Sequence, residues 1–147
     1  MANLGTTSFD GLQVDGYAFP KVITGTIAYN NFGTTSATAG TAPITGTIPA
    51  GATFYRSVLT SLTGFLGTPN ASATLQIGDG TTANRYGGTI NVFGTAANSA
   101  TGVDMGTPLA TAVYHTAAKQ PIATLTAGSL IGSVTGGTAV VKLYYFD

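Results

Sequence analysis

The chain has 147 residues, which is enough for one domain with a hydrophobic core and too few for two ordinary ones. Charged residues make up 7% of it, against roughly 25% in an average soluble domain, and the basic and acidic residues balance at five each. So few Lys and Arg argue against a nucleic-acid partner, and the absence of Cys excludes disulfides and thiolate metal sites.

The residue types favour strands over helices. Glu is absent and Lys and Arg are scarce, although all three form helices readily. Thr, which is branched at Cβ, is frequent, and 21 Gly residues supply tight turns. We therefore predict an all-β fold. A surface of Thr, Ser, Asn, Gly and Ala carries little charge, so electrostatic repulsion between protein molecules is weak. Such a surface is typical of a component of a larger assembly.

In chain order, the first segment is residues 1–16, which are polar and rich in Gly. Leu12 and Val14 alternate with polar residues, as in a short strand. The segment lacks the basic start and apolar run of a secretion signal, and no stretch reaches the roughly 18 apolar residues of a membrane span. We therefore expect that the protein is made in a cytoplasm and has no membrane partner.

We predict that residues 1–16 form an extended N-terminal arm. Its apolar residues would anchor it at a protein interface, and they are Leu4, Phe9, Leu12 and Val14.

Residues 17–147 carry the strand signals, and we predict that they form one β-sandwich domain. About eight short strands with turns between them are typical of a jelly-roll-like antiparallel β-sandwich, and an immunoglobulin-like sandwich is the second choice. A long irregular loop is predicted for residues 95–108. The segments rich in β-branched or aromatic residues are 21–29, 42–52, 52–67, 73–77, 88–94, 109–116, 121–127, 129–135 and 138–147.

Three local patterns lie inside this domain. The letters ITGTI occur at residues 23–27 and again at 44–48, but the flanks differ and no period continues, so we interpret the similarity as chance. Residues 54–63 alternate without interruption, which predicts one regular strand. Gly136 and Gly137 separate the last two segments and predict a hairpin turn, because both central residues of such a turn need positive φ.

Residues 75–90 read LQIGDGTTANRYGGTI, and Gly78, Gly80 and Ala83 match one form of the dinucleotide-binding fingerprint. That fingerprint requires a helix after the strand, because its glycines bring a pyrophosphate to the helix N-terminus. A new strand begins near Thr89, which leaves no room for the roughly ten residues of a crossover helix. We therefore predict an Asp-Gly connection between antiparallel strands and no cofactor.

At the far end of this connection, Asn84, Arg85 and Tyr86 are predicted to project and to contact a partner protein. His115 is the single histidine, and it lies on the opposite face of its strand from Tyr114. One His without Cys or Glu is a poor basis for acid–base, nucleophilic or metal chemistry, so we interpret it as structural. We predict no enzyme activity, no catalytic residue and no metal site.

Two pairs of neighbouring aromatic residues stand in the strand segments, Phe54–Tyr55 and Tyr144–Tyr145. Successive side chains of a strand point to opposite faces of the sheet. We therefore expect one ring of each pair to pack in the core and the other to face a subunit or a ligand.

Four stretches together carry a resemblance: the arm MANLGTTSFDGLQVDG and the phrases IPAGATFYRSVL, ATLQIGDGTTANRYGG and GGTAVVKLYYFD. In these the chain resembles the small β-sandwich structural proteins of tailed-phage virions, most of all capsid decoration or cement proteins. The resemblance implies a non-enzymatic virion protein, often a homotrimer, on the capsid surface where major capsid subunits meet. In such a protein the arm would add as a strand to an exposed sheet edge of a neighbour.

Two other classes are alternatives. The chain is similar also to domains of phage tail fibres and head fibres, which would bind a host-surface glycan through exposed Tyr and Asn side chains. A bacterial adhesin-like module would polymerise by donating a strand to the next copy, without any capsid.

Overall fold

The structure is a computed structural model that describes residues 7–9, 12–14, 19–33, 36–94, 103–105 and 113–147, with β1, β2 and Val103 given as backbone. The described regular structure consists of β-strands together with 3-10 turns, two of which are Tyr29–Phe32 and Ile131–Ser133. The strands are β1 (Thr7–Phe9), β2 (Leu12–Val14), β3 (Lys21–Ala28), β4 (Ala39–Pro43), β5 (Thr53–Leu66), β6 (Ala73–Gly78), β7 (Gly87–Asn91), β8 (Val103–Asp104), β9 (Val113–Tyr114), β10 (Ile122–Ala127) and β11 (Gly136–Phe146).

Two antiparallel sheets form a sandwich. One has the strand order β4-β10-β6-β7, and the other has the order β3-β11-β5-β8, with β9 also paired to β5. The pairs nest along the chain, because β3 pairs with the last strand β11, β4 with β10, β5 with β8 and β9, and β6 with β7. A long hairpin wrapped into a double sheet gives this nesting, so the predicted jelly-roll-like β-sandwich is confirmed.

The hydrophobic core lies between the two sheets. On β11 every second residue from Ala139 to Tyr145 is buried, while the residues between them are partly exposed. Each fully buried aliphatic side chain of such a core contributes about 1.5–3 kcal/mol to folding. The facing sheet completes the same cluster with Leu75, Ile77, Ala123 and Leu125.

Strand β5 is less regular than the sequence predicted. Its register with β11 shifts at three places, one of them between Tyr144 and Tyr145. Phe54 is buried, but farther along the strand Ser57 and Leu59 are buried on the face that uninterrupted alternation assigns to solvent. An extra residue in one strand moves the following side chains to the other face. The prediction of one regular alternation over residues 54–63 is therefore wrong.

The two ITGTI segments adopt different structures. Residues 23–27 lie in β3, whereas residues 44–48 follow β4 as a bend in which Gly46 has φ of 119°. The strand predicted for residues 42–52 therefore ends at Pro43. The two segments touch each other, because a Cβ on Gly25 would lie 2.6 Å from the Cγ2 atom of Ile44. They pack together and are not one repeated structural unit.

The predicted hairpin before the last strand is wrong. Residues 129–135 form a 3-10 turn and no strand, and both Gly136 and Gly137 lie inside β11. Gly137 has φ of 123°, and a Cβ there would lie 2.6 Å from the Cα of Phe65, so close packing of the strands requires Gly at this position. The loop predicted for residues 95–108 also contains a short strand, β8, which pairs with β5.

The N-terminal strands pair with each other. In a two-stranded antiparallel sheet, Thr7 is the partner of Val14 and Phe9 is the partner of Leu12. The predicted strand at Leu12 and Val14 is confirmed, and Leu4 lies outside the described residues. The role of residues 1–16 as an interface arm stays a prediction. In the described part of the chain no helix is long and apolar enough to cross a membrane.

Candidate protein interface

The connection after β6 has the geometry that the sequence predicted. Residues 79–86 join β6 to β7, which run antiparallel, and no helix lies between them. Gly80 has φ of 80°, and a carboxylate oxygen of Asp79 accepts hydrogen bonds from the N–H groups of Thr81 and Thr82 at 3.1 and 2.9 Å. The Asp side chain and the Gly backbone therefore shape the turn, and the predicted Asp-Gly connection is confirmed.

Asp79 also forms ion pairs inside the molecule. Its side chain is 1% exposed, and its Oδ2 atom lies 2.7 Å from Nε of Arg85 and 3.8 Å from Nζ of Lys119. Burial acts to raise the pKa of Asp79, but the hydrogen bonds from Thr82 and Thr81 and the two nearby cations outweigh it, so the pKa lies below its ordinary value. The carboxylate thus stays charged and holds the loop closed.

Tyr86 does not project from this loop, so that part of the interface prediction is wrong. The residue is fully buried, and its ring centroid lies 4.8 Å from that of Phe54. Its N–H donates to the carbonyl of Ile77 at 2.8 Å, which fixes it in register with β6 and turns the ring inward. The Ser57 hydroxyl donates a hydrogen bond to the Tyr86 carbonyl.

Asn84 and Arg85 are partly exposed. The Arg85 guanidinium is held by Asp79 and also donates a hydrogen bond to the Thr82 hydroxyl at 3.1 Å. The guanidinium therefore has partners within its own loop. Contact of Asn84 and Arg85 with another protein stays a prediction.

His115 is a buried residue with a defined partner. It is 4% exposed, and its Nε2 atom lies 3.1 Å from the hydroxyl oxygen of Tyr86. Burial, and next the Arg85 charge, lower the pKa of His115, while burial raises the pKa of the Tyr86 hydroxyl. Both groups are therefore neutral at pH 7. Tyr114 faces outward, which confirms the predicted opposite orientation of the two neighbours.

We call Asp79, Arg85, Tyr86, His115 and Lys119 the loop cluster. Its polar groups contact one another at the end of the sandwich, and none of the contacts joins a hydroxyl nucleophile to a base that a third group orients. Elsewhere in the described residues no group of three or more His, Cys, Asp or Glu side chains is placed to hold a metal ion. The geometry of the loop cluster suits a structural role.

The outer side of the five-stranded sheet carries an exposed set of four aromatic side chains and one valine. Tyr114 is 62% exposed, Tyr55 is 53% exposed and Val22 is 49% exposed, and Tyr144 and Phe146 are partly exposed. They are neighbours, because Val22 pairs with Tyr144 across the sheet and the rings of Tyr55 and Phe146 lie 5.8 Å apart. We call these five residues the aromatic patch.

The strand geometry explains this patch. Phe54 is fully buried and Tyr55 is exposed, while Tyr145 is buried and Tyr144 faces outward. The predicted division of each aromatic pair between core and surface is thus confirmed. Tyr114 joins the set from the short edge strand β9, which pairs with the first residues of β5.

Two ion pairs flank the aromatic patch. Next to β8, Nε of Arg56 lies 3.9 Å from Oδ2 of Asp104, and the Arg56 guanidinium lies 5.9 Å from the centroid of the Tyr144 ring. At the other side, Nζ of Lys21 lies 2.7 Å from Oδ2 of Asp147. The patch is therefore bordered by both signs of charge.

The outer side of the four-stranded sheet differs in chemistry. Its strands β4, β6, β7 and β10 contain no charged residue. Gln76 donates a hydrogen bond to the Thr89 hydroxyl at 2.8 Å across two strands. We call this surface the hydroxyl face, and its outward residues include Thr41, Gln76, Thr89, Asn91 and Thr124.

Near these surfaces the described residues form cavities of about 470 and about 370 Å³, and neither of these two contains a residue of the aromatic patch. One of about 470 Å³ lies between β3 and the segment after β4, and its walls are Thr24, Gly25, Thr26, Asn31, Pro43 and Thr45. The other, of about 370 Å³, lies beside the loop after β6 and is lined by Thr41, Gly80, Thr81, Ala83, Ile122 and Thr124. Both lack the aromatic wall on which a sugar ring would stack.

The fold is similar to that of chains in two solved phage capsids. A chain of the cyanophage Pam1 capsid asymmetric unit matches with a TM-score of 0.58 and 22% identity, over 92% of this chain and 91% of that one. A chain of the acid-stable capsid of Helicobacter pylori bacteriophage KHP30 matches with a TM-score of 0.52 and 17% identity, over 87% of each chain. No protein-family model and no curated protein matches the sequence. At these identities the likeness establishes a shared fold.

Proposed function

We propose that this chain is a capsid decoration protein, a non-enzymatic structural component of a phage virion. In this proposal it binds the major capsid protein on the outer capsid surface, at junctions between subunits, after synthesis in the host cytoplasm. The observation that supports it most is the fold, which is similar over nearly the whole chain to chains of two phage capsids. The aromatic patch adds a surface suited to protein contact, since Tyr and Arg are enriched at interfaces.

The stabilising mechanism follows from linkage. A protein that binds the assembled shell, and does not bind free subunits, shifts the equilibrium towards the shell by mass action. Many copies, each bound weakly, would then oppose the outward pressure of packaged DNA. We propose that the protein acts as a homotrimer, because three copies joined together bind with a higher effective concentration than single copies.

Residues 1–16 are proposed to connect each copy to its neighbour. The longer edge strands of the two sheets are β3, β4 and β7, and an added strand supplies backbone hydrogen bonds to such an edge. Leu4, Phe9, Leu12 and Val14 would be the apolar anchors. Asn84 and Arg85, on the loop after β6, are proposed as a second contact.

A binding experiment with empty capsids that lack the protein tests the proposal. The full chain should bind in a fixed ratio to the major capsid protein and raise the temperature at which the capsids open. Deletion of residues 2–16 should weaken binding at least tenfold. If the full chain does not sediment with capsids, the proposed function is contradicted. If the deletion variant binds as well as the full chain, only the proposed role of residues 1–16 is contradicted.

A fibre domain that binds a host-surface glycan is the second candidate. The exposed rings of Tyr55 and Tyr114 favour it, because sugars stack on such rings. Against it, the cavities described above have hydroxyl-rich walls without aromatic rings. A glycan array with the purified chain separates the two candidates, since a decoration protein should show no specific signal.

A further inference from the structure

The aromatic patch leaves a large apolar area in contact with water. Four of its five residues are aromatic, and an aromatic side chain offers about 150–250 Å², so with the exposed fractions given above the four rings and Val22 together expose roughly 400 Å². A contiguous exposed area of several hundred Å² on a soluble domain is often an interaction site. If the polar residues around the patch contribute a similar area, the whole surface approaches the roughly 800 Å² that each partner contributes to a standard interface.

The charges around the patch restrict the partner. Arg56 and Asp104 lie at one side, Lys21 and Asp147 lie at the other, and the side chains of Lys21 and Asp104 are 59% and 58% exposed. A strongly acidic or strongly basic surface would place like charges against one member of each pair, which opposes binding. A suitable partner presents both signs in equal number, beside apolar rings.

A second copy of this chain meets that requirement, since it carries the same two ion pairs around the same rings. Arg56 of one copy can approach Asp147 of the next, and Lys21 can approach Asp104. Tyr hydroxyls both donate and accept hydrogen bonds, so two Tyr-rich surfaces can satisfy each other. We infer that the aromatic patch binds a second copy of this chain. The inference rests on the proposed homo-oligomer and names its surface, and it concerns the isolated protein without the capsid.

Sedimentation equilibrium of three purified proteins tests the inference. They are the full wild-type chain, Tyr55→Ser with Tyr114→Ser, and a matched control, Leu66→Ser with Leu130→Ser. The control residues are 53% and 45% exposed and lie outside the patch, so each variant removes two large exposed side chains. Circular dichroism checks that all three retain the β-sheet spectrum, as expected for exposed positions.

We expect the wild type and the control to associate with similar dissociation constants, and the patch variant to associate at least tenfold more weakly. A wild-type protein that is monomeric up to its solubility limit would overturn the inference. So would a patch variant that associates as tightly as the wild type.

Capsid binding of the same proteins separates this inference from the proposed function. One possible result is that the wild type is monomeric and the patch variant no longer binds capsids. This would overturn the inference, because the patch would then bind the capsid, and the proposed function would remain supported. A wild type that associates through the patch but does not bind capsids would contradict the proposed function and support the inference.

Discussion

The loop cluster and the aromatic patch contain the same residue types in opposite surroundings. Each has an Arg and an Asp beside a Tyr: Arg85, Asp79 and Tyr86 in the loop cluster, and Arg56, Asp104 and Tyr144 at the patch. The Arg Nε and Asp Oδ2 atoms lie 2.7 Å apart in the first and 3.9 Å apart in the second. In the loop cluster the Asp79 carboxylate is buried beside two cations. At the patch the side chains of Arg56 and Asp104 are 42% and 58% exposed, so another molecule can reach them.

This difference shows that residue type alone does not identify an interface. A buried ion pair contributes to stability through the penalty for breaking it, whereas an exposed pair contributes little. We therefore expect substitutions in the loop cluster to lower the free energy of unfolding. Matched substitutions at the patch should leave it nearly unchanged and alter association instead.

The largest effect is expected for Tyr86→Ala. Removing a fully buried aromatic ring leaves a cavity beside Phe54 and should lower the free energy of unfolding by about 3–5 kcal/mol. The matched variant Tyr55→Ala, at an exposed position, should lower it by about 1 kcal/mol at most. Urea unfolding followed by circular dichroism measures both. Equal losses in the two variants would contradict the assignment of Tyr86 to the core.

Asp79→Asn should have the next largest effect. It removes the charge that holds Arg85 and Lys119, and we expect a loss of about 2 kcal/mol, reduced from a fully buried case because Arg85 reaches solvent. The control Asp104→Asn should change the free energy of unfolding by about 0.5 kcal/mol or less. The same urea titrations measure both variants. If Asp104→Asn lowers the free energy of unfolding as much as Asp79→Asn, the expected difference between the loop cluster and the aromatic patch is absent.

Acid should weaken the loop cluster by a smaller amount. The pKa of His115 lies below its ordinary value of 6.5, so the unfolded chain binds a proton at higher pH than the folded chain. Stability should be full above pH 6.5 and fall as the pH drops below it, and Asp79 should add a loss below its ordinary pKa of 3.8. Urea unfolding between pH 7.5 and 4.5 measures the slope. His115→Gln should flatten this slope, and an unchanged slope would show that His115 is not the group that titrates.

The smallest effect is expected for Arg56→Gln. Its guanidinium lies near the Tyr144 ring and near Asp104 at an exposed site, and such contacts contribute about 0.5 kcal/mol each. Thermal unfolding should therefore differ little from the wild type. The substitution should show its effect in association, because it removes one charge from the border of the patch. A large loss of stability would mean that the patch is a packed structural element.

The sequence allowed the fold to be predicted because strand propensity and turn residues agree along most of the chain. Segments rich in β-branched and aromatic residues, such as 138–147, together with the Gly and Pro residues between segments, indicate a double sheet. The Asp79–Gly80 turn is predicted because the next strand begins too soon for a helix to fit. The division of Phe54 from Tyr55 and of Tyr144 from Tyr145 follows from the period of two.

The parts that could not be predicted depend on contacts between distant residues. The bulges of β5 arise from its pairing with β11, so the burial of Ser57 and Leu59 has no local signal. The sequence predicts a turn at Gly137, whereas the structure requires Gly there because Phe65 approaches from another strand. Tyr86 faces inward because its N–H already bonds to the carbonyl of Ile77 on β6, a contact that the order of residues in the loop does not reveal.

Electron cryomicroscopy of purified virions can locate the protein and so decide whether it is a capsid decoration protein. We expect density for the sandwich on the outer capsid surface, at junctions between major capsid subunits, in a fixed ratio to the major capsid protein. Density at the tail or on fibres, with none on the capsid surface, would contradict it.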